Sequence, residues 1–335
     1  MQERAAQSMS VSVVIPAYNA GRYVARAIHS VLNQTRPADE IIVVDDGSVD
    51  NTAEVVRSFS DKVVLIQQAN AGVSAARNTG ILAAKGDWVA FLDADDEWLP
   101  FRLERQFKII ERHPALAWVT GNYLTCISSE DRQAPYLEES RVGILLDNRP
   151  TMPNYFQGCV KDLGGHTDTM LIRRHVILEA GLFSTELIKA EDMDLWWRIA
   201  YTYPEVGYVS APLAVYHLGA SESLNQTRMN GAFFAGLIHK HLKLSREHHQ
   251  DGAFRPLASR LLRGWMRSML FTAQGRDVRF LLKEFGPLFP FGYCGLMRAL
   301  ILFPRLTAAG CRLCSYINHM FHLRRRVVAG SAGLQ

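Results

Sequence analysis

The chain has 335 residues, 48% hydrophobic and 21% charged, the balance of a globular protein long enough for one large domain or two ordinary ones. Five scattered cysteines, Cys126, Cys159, Cys294, Cys311 and Cys314, argue against a secreted disulfide framework and for a reducing compartment; the lone CxxC of Cys311 and Cys314 reads as chance. The net charge of +4 is unevenly spread: residues 1–230 hold 21 positive and 29 negative groups, whereas 231–335 hold 16 and 4, so the two parts carry −8 and +12 and should meet different surroundings.

The opening MQERAAQSMS (1–10) lacks the apolar stretch of a secretory signal and is expected to be disordered, with Met9 a candidate start. VSVVIPAYN (11–19) is a β-branched run ended by Pro16 and Asn19, a buried strand feeding a loop. Apolar residues at helical spacing follow from Tyr23 to Gln34. EIIVVDDGS (40–48) repeats the strand-to-loop pattern, NTAEVVRSF opens a helix behind Asp50 and Asn51, and KVVLIQQ (62–68) is a third strand. VSAARNTGILAAK (73–85) reads as a helix, DWVAFLDADD as a fourth strand, and Pro100 to Arg112 as another helix. This alternation predicts an α/β fold with a mostly parallel sheet covered by helices on both faces.

Residues 114–215 are mixed. A strand is expected at LAWVTGNYLTC (116–126), then a polar interruption at 128–141, a Gly-rich GGHTDTMLIRR (164–174), a short helix containing EAG and the charged, aromatic KAEDMDLWWRIA (189–200). After Met229 the sequence becomes Arg-studded and helical. Three strands end in polar clusters, PAYN (16–19), DDGS (45–48) and DADD (93–96). Ligands gather at the carboxyl ends of strands in such sheets, so one crevice should collect all three.

Taken in order, VSVVIPAYN, SVLNQT, EIIVVDDGSVDNT, NAGVSAARNTGI, GDWVAFLDADDEW and AEDMDLWWRI resemble the family 2 glycosyltransferases over about residues 11–217. The resemblance implies a GT-A-like (Rossmann-like) fold and inverting transfer of a sugar from a nucleotide-sugar donor to an acceptor hydroxyl, with Mn²⁺ or Mg²⁺. UDP is the default nucleotide, with GDP and dTDP open. A catalytic domain over 11–230 is expected, split into a nucleotide-sugar half (11–112) and an acceptor half (113–230), with a basic helical region over 231–335.

The chemistry explains the acids. A nucleoside diphosphate leaving group concentrates negative charge, which bare carboxylates would repel and a hard cation on carboxylate oxygens would neutralise. By resemblance Asp95 is the metal ligand, Asp93 reaches the ribose or a metal-bound water, and Asp96 is left to cap the following helix. Pro16, Ala17, Tyr18 and Asn19, with Asp45 and Asp46, would form the nucleoside pocket, Asp46 being the stronger contact. The alternative for DDGS is an ordinary turn in which Gly47 supplies a positive φ. Arg77 is placed near the nucleotide by the same pattern.

Inversion needs one base on the acceptor side. The resemblance makes Asp192 that base, with Glu191 orienting it or holding the acceptor and Asp194 complementing the helix dipole. Trp196 and Trp197 are candidates to stack on acceptor sugar, at most one of them making that contact, since one of two adjacent tryptophans is usually core. Where relatives carry a YRxHxxS-like segment this chain has VYHLGASES, so His217 is either a supplementary metal or phosphate contact or structural. His166 and Arg173 or Arg174 are further acceptor-side candidates.

Residues 286–326 mix aromatics, Leu and Met with arginines and almost no acids. Arg298, Pro304, Arg305 and Arg312 interrupt any spanning stretch, so binding at a membrane surface is expected, on the cytoplasmic face. The alternative is a helical subdomain packed on the core or on a second subunit, which leaves a homodimer open. No motif reads nucleic acid. The competing functions are a non-catalytic nucleotide-sugar or glycan-binding protein on this fold and a sugar nucleotidyltransferase; cell-surface polysaccharide or lipid-linked glycan synthesis is the expected setting.

Overall fold

The β-branched runs become strands where the sequence places them. In a computed structural model, which describes residues 9–127, 132–218 and 230–302, the first half runs β1 (Val11–Ala17), α1 (Val24–Leu32), β2 (Glu40–Asp45), α2 (Thr52–Arg57), β3 (Val64–Gln67), α3 (Val73–Ala83) and β4 (Trp88–Phe91). There follow β5 (Glu97–Trp98), α4 (Arg102–Arg112), β6 (Trp118–Gly121), β7 (Leu124–Ile127), β8 (Arg132–Pro135), α5 (Glu139–Leu145), β9 (Thr151–Met152) and α6 (Tyr155–Val160). A 3₁₀ turn at Thr167–Thr169 leads into β10 (Leu171–Arg173), α7 (Arg174–Glu179), α8 (Glu191–Thr202), β11 (Val206–Val209) and β12 (Ala214–Leu218).

Eight strands form the main sheet in the order β3-β2-β1-β4-β10-β6-β11-β9. β3, β2, β1 and β4 run parallel, β11 is parallel to β6, and β10 is antiparallel to both its neighbours. Alternation along β1 feeds two layers. Val11, Val13 and Ile15 join Val24, Ala27, Ile28 and Val31 of α1 and Leu103, Phe107 and Ile110 of α4 in one core, while Val14 meets α3 at Gly80. Each such aliphatic side chain contributes about 1.5–3 kcal/mol when fully buried. Pro16 is tolerated in this central strand because β4 pairs only with Val11 to Val14; beyond that point β1 has no ladder on that side for a missing N–H to break.

The stretch LAWVTGNYLTC is two strands rather than one. β6 belongs to the main sheet, whereas β7 joins a second sheet in the order β5-β12-β7-β8. Asn122, fully buried at the break, explains the change of sheet. Its Nδ2 donates to Leu137 O (2.6 Å) and Ser210 O (3.1 Å), and its Oδ1 accepts from Tyr123 N (3.0 Å) and Leu137 N (3.3 Å). The side chain thereby supplies the partners the backbone loses on leaving the ladder.

Chain contacts divide the molecule into two units, Met1–Gln226 and Thr227–Gln335. The second is helical: α9 (Gly231–Glu247), α10 (Asp251–Phe271), α11 (Gly275–Phe285) and α12 (Tyr293–Leu300). Ile238, Phe254, Leu257, Leu262, Val278 and Leu281 are buried within it, and Phe234 stacks on Trp265 at 4.2 Å. Asn230 caps α9 by accepting from Phe233 N at 2.9 Å. No helix among the described residues is long and apolar enough to cross a membrane. The expected disordered start lies largely outside the described residues, as do the 303–326 part of the basic tail, Cys311 and Cys314.

Candidate active site

Because β2, β1 and β4 are parallel neighbours, their carboxyl ends open on one edge, and the three polar clusters meet there. Asp46 N donates to Ala17 O at 2.8 Å, tying the second cluster to the first. Ser48 Oγ accepts from Asn19 N (2.9 Å), and Asn19 Oδ1 accepts from Val49 N (3.0 Å). Tyr18 is left half exposed at this edge.

Asp45 and Asp46 are both buried and occupied by the protein. Asp45 accepts from Ser48 N and Gln67 Nε2 (3.0 and 3.1 Å), closing a turn in which Gly47 takes φ +77°. Asp46 accepts from Gln68 Nε2 (2.7 Å), Ala71 N (2.9 Å) and Gly72 N (2.8 Å), which shapes the loop that starts α3.

Arg77, buried on α3, joins the DAD loop to the start of α8. Its Nη2 donates to Asp93 Oδ1 (2.7 Å) and its Nη1 to Glu191 Oε1 (2.9 Å). Burial works against the charge, but the Asp93 and Glu191 carboxylates outweigh it and hold the guanidinium above its ordinary range. Burial, reinforced by the Asp192 charge and opposed by Arg77, raises Glu191. Asp192 is half-buried beside it in the first turn of α8; its Oδ2 accepts from Thr167 Oγ1 at 3.2 Å. Ala190, which introduces that helix, has φ +60°, strain that a non-glycine residue holds only when its surroundings impose it. Asp194, in the same first turn, is buried and paired with Arg198 at 2.8 Å.

Beyond β4, Asp95 is half-buried. Burial and then the Asp93 charge push its carboxyl up to about 6, so it is an acid short of positive charge. Asp96 does not cap a helix. α4 begins at Arg102 behind Phe101, and Asp96 points instead into the protein, where its Oδ1 accepts from His217 N (2.7 Å) and its carboxyl hydrogen-bonds the Asp168 side chain. Burial and then the Asp168 charge raise it well above the usual carboxylate range.

Asp168 of the 3₁₀ turn is the partner sequence reasoning missed. Fully buried, it accepts from Asp93 N through Oδ1 (2.8 Å), and its Oδ2 lies 2.8 Å from His166 Nδ1. Gly165 makes the approach: at φ +72° its Cβ would lie 2.0 Å from Thr120 Oγ1. The only signal in the sequence is a polar HTDT run between a glycine pair and an apolar strand.

Among the described residues, Asp96, His166 and Asp168 are the group of three whose ligand atoms lie within 4.8 Å of one another. Two carboxylates and an imidazole suit a divalent ion such as Mn²⁺, and a cation would take the place of the proton that the facing Asp96 and Asp168 carboxyls otherwise need. Asp93, Asp95 and His217 are not in this group. His217 Nε2 is instead 3.0 Å from Glu97 Oε1.

Several acceptor-side expectations are overturned. Trp196 and Trp197 are 3% and 2% exposed. Trp196 packs against Phe91 and Phe183 at 5.8 and 5.6 Å between ring centroids, so both tryptophans are core and neither offers a face to sugar. Arg173 pairs in register with Trp88, at the opposite end of β4 from Asp93, and braces Leu116 O and Pro114 O (3.0 and 2.8 Å). Arg174 does the same for Ile81 O and Leu82 O, both at 3.2 Å.

Residues 12–179 match the family model described as Glycosyl transferase family 2. A curated uncharacterized glycosyltransferase of Nostoc sp. is 41% identical over 148 residues, 41% of this chain and 46% of that protein. One from Rickettsia prowazekii is 31% identical over 198 residues, 56% and 58% of the two chains. The chain thus spans about half the length of these relatives. Among solved structures, S. aureus TarS 1-349 in complex with UDP-GlcNAc superposes with a TM-score of 0.64 over 90% of this chain and 89% of that one, at 18% identity, a likeness of fold.

Proposed function

The chain belongs to glycosyl transferase family 2, and from that premise we propose that it transfers a sugar with inversion from a nucleotide-diphosphate sugar, UDP-linked by preference, to an acceptor hydroxyl. The observation that carries the reading is the Arg77 bridge, which ties the DAD loop through Asp93 to Glu191, next in chain to the base candidate. UDP-GlcNAc bound to the TarS neighbour supports the choice of nucleotide.

Asp192 is assigned the general base. It takes the acceptor hydroxyl proton as the acceptor oxygen bonds to the anomeric carbon from the face opposite the diphosphate. The bond from that carbon to the phosphate oxygen breaks, and its electron pair leaves on the nucleoside diphosphate. Thr167 orients Asp192, Arg77 restrains Glu191 and Asp93, and Tyr18 is free to cover the base. Mn²⁺ or Mg²⁺ at the carboxylates, on Asp95 with Asp93 through water or on the Asp96, His166 and Asp168 group, would supply charge neutralisation for the diphosphate. His217, bonded to Glu97, is a weaker candidate ligand.

A glycan or lipid-linked acceptor at the cytoplasmic face of a membrane, in cell-surface polysaccharide synthesis, extends the proposal. Supporting it, Phe291, Leu296 and Leu302 are strongly exposed in the basic second unit, as expected of an interfacial surface.

A donor panel scored for nucleoside diphosphate release, with and without Mn²⁺, tests the reaction class. Release of pyrophosphate would favour a nucleotidyltransferase. Asp192→Ala should bind UDP and fail to turn over; binding without turnover in the wild type would favour a non-catalytic binding protein.

A further inference from the structure

With Trp196 and Trp197 in the core, the aromatic surface near the site comes from elsewhere. Four rings follow one another: Tyr136 on Tyr123 (4.7 Å between centroids, 12° between planes), Tyr123 on His166 (5.3 Å) and His166 on Tyr216 (4.5 Å). Tyr136 is 43% exposed, and the other three are half-buried. The Phe91, Phe183 and Trp196 cluster, by contrast, is wholly buried. A contiguous run of partly exposed rings is not what a core requires, and such patches mark binding surfaces.

We propose that Tyr136, the exposed outer ring of this row, is the platform on which a pyranose ring of the acceptor glycan stacks, with Tyr123, His166 and Tyr216 packed behind it. The assignment rests on the reading of the neighbouring carboxylates as a sugar-transfer centre, and two observations connect the row to them. Thr167, next in chain to His166, donates to Asp192. Tyr216 adjoins His217, whose N donates to Asp96 at 2.7 Å. The row therefore starts beside the base and runs outward to Tyr136.

The rings are held rigidly. Tyr136 N donates to Tyr123 O at 2.8 Å across the base of the β7–β8 hairpin, and Asn122 clamps the adjoining Leu137. Tyr216 is carried on β12, which pairs with β7 opposite Thr125. His166 N donates to Thr169 Oγ1 at 3.0 Å. A surface ordered before binding spends little of its contact energy on becoming ordered. The apolar C–H face of a pyranose matches an aromatic ring face such as that of Tyr136.

The test uses the full chain and the variants Tyr136→Ala and Tyr136→Phe, the residue being exposed enough for the fold to tolerate either. Methyl β-glycosides of glucose, galactose and N-acetylglucosamine, and the corresponding β-1,4 disaccharides, are titrated in the presence of UDP and Mg²⁺ with saturation-transfer NMR as readout. UDP affinity is measured separately by calorimetry. At least one sugar should bind the wild type, bind Tyr136→Ala about fivefold or more weakly and bind Tyr136→Phe nearly as well, with UDP affinity the same in all three. Binding of no sugar, or equal binding to Tyr136→Ala, overturns the platform. A wild type that binds no UDP overturns the transferase reading instead, whatever the sugars do.

Discussion

Arg77 Nη2 lies 2.7 Å from Asp93 Oδ1, and the guanidinium's other end is spent on Glu191. The three groups come from α3, the DAD loop and α8, so the bridge holds together segments far apart in sequence. Removing the cation from a buried network leaves acids facing each other, at a cost of about 3–5 kcal/mol. Arg77→Met should lower the unfolding free energy by that amount, read as a fall in the urea midpoint at unchanged m, and weaken UDP binding. Arg77→Lys, with one ammonium for two carboxylates, should recover only part. An unchanged midpoint in Arg77→Met would show that the bridge does not stabilise the fold.

Thr167 offers a more local test. Its hydroxyl donates to Asp192 and holds the carboxylate in place, so Thr167→Val should leave the base misoriented. Turnover should fall about tenfold, the value of one hydrogen bond to a charged acceptor. Thr167→Ser keeps the donor and should restore turnover, while UDP affinity stays constant throughout. A loss of UDP affinity alongside turnover, or no rescue by Thr167→Ser, would make Thr167 merely structural.

The parts of this arrangement legible beforehand are those written in local pattern. β1, β2, β3 and β4 announce themselves by apolar runs ended by polar tips, and parallel pairing then forces Asn19, Asp46 and Asp93 onto one edge. What local pattern cannot show is which neighbour a side chain will meet. Asp96 has the local pattern of a cap, because an acid before a helix commonly is one; its partner is His217 N, 121 residues away in sequence. Trp196 and Trp197 follow acids on a helix, and helical period says nothing about how much of that helix is covered. Asp168, marked only by the polar HTDT run, and the Tyr136–Tyr216 row depend on pairings between distant strands, which local pattern does not specify.

Asn122 tests the junction between the sheets. Asn122→Leu removes all four side-chain hydrogen bonds and leaves Leu137 N and O and Ser210 O without partners in a buried site. Each abandoned group costs about 1–3 kcal/mol. The variant should accumulate as insoluble or molten protein with reduced near-ultraviolet circular dichroism. Asn122→Asp keeps the acceptor and should be milder. A soluble Asn122→Leu with native spectra would mean the strand switch is held by the backbone alone.

His166 and Asp168 separate the two candidate metal positions. Burial alone would lower the imidazole, but the Asp168 charge outweighs it and raises His166 above 6.5. A raised pKa in the folded state means that folding takes up a proton. The resulting stability is fully present below the unfolded value and is lost as pH rises through the folded one. In metal-free buffer the urea midpoint should therefore fall as pH climbs above 6.5, and Asp168→Asn should flatten that fall. Mn²⁺ held by Asp96, His166 and Asp168 would displace the same proton, so saturating metal should remove the fall and stabilise more strongly at higher pH. If metal instead sits on Asp95, the slope survives saturation, and Asp95→Asn rather than His166→Gln abolishes Mn²⁺ binding by calorimetry.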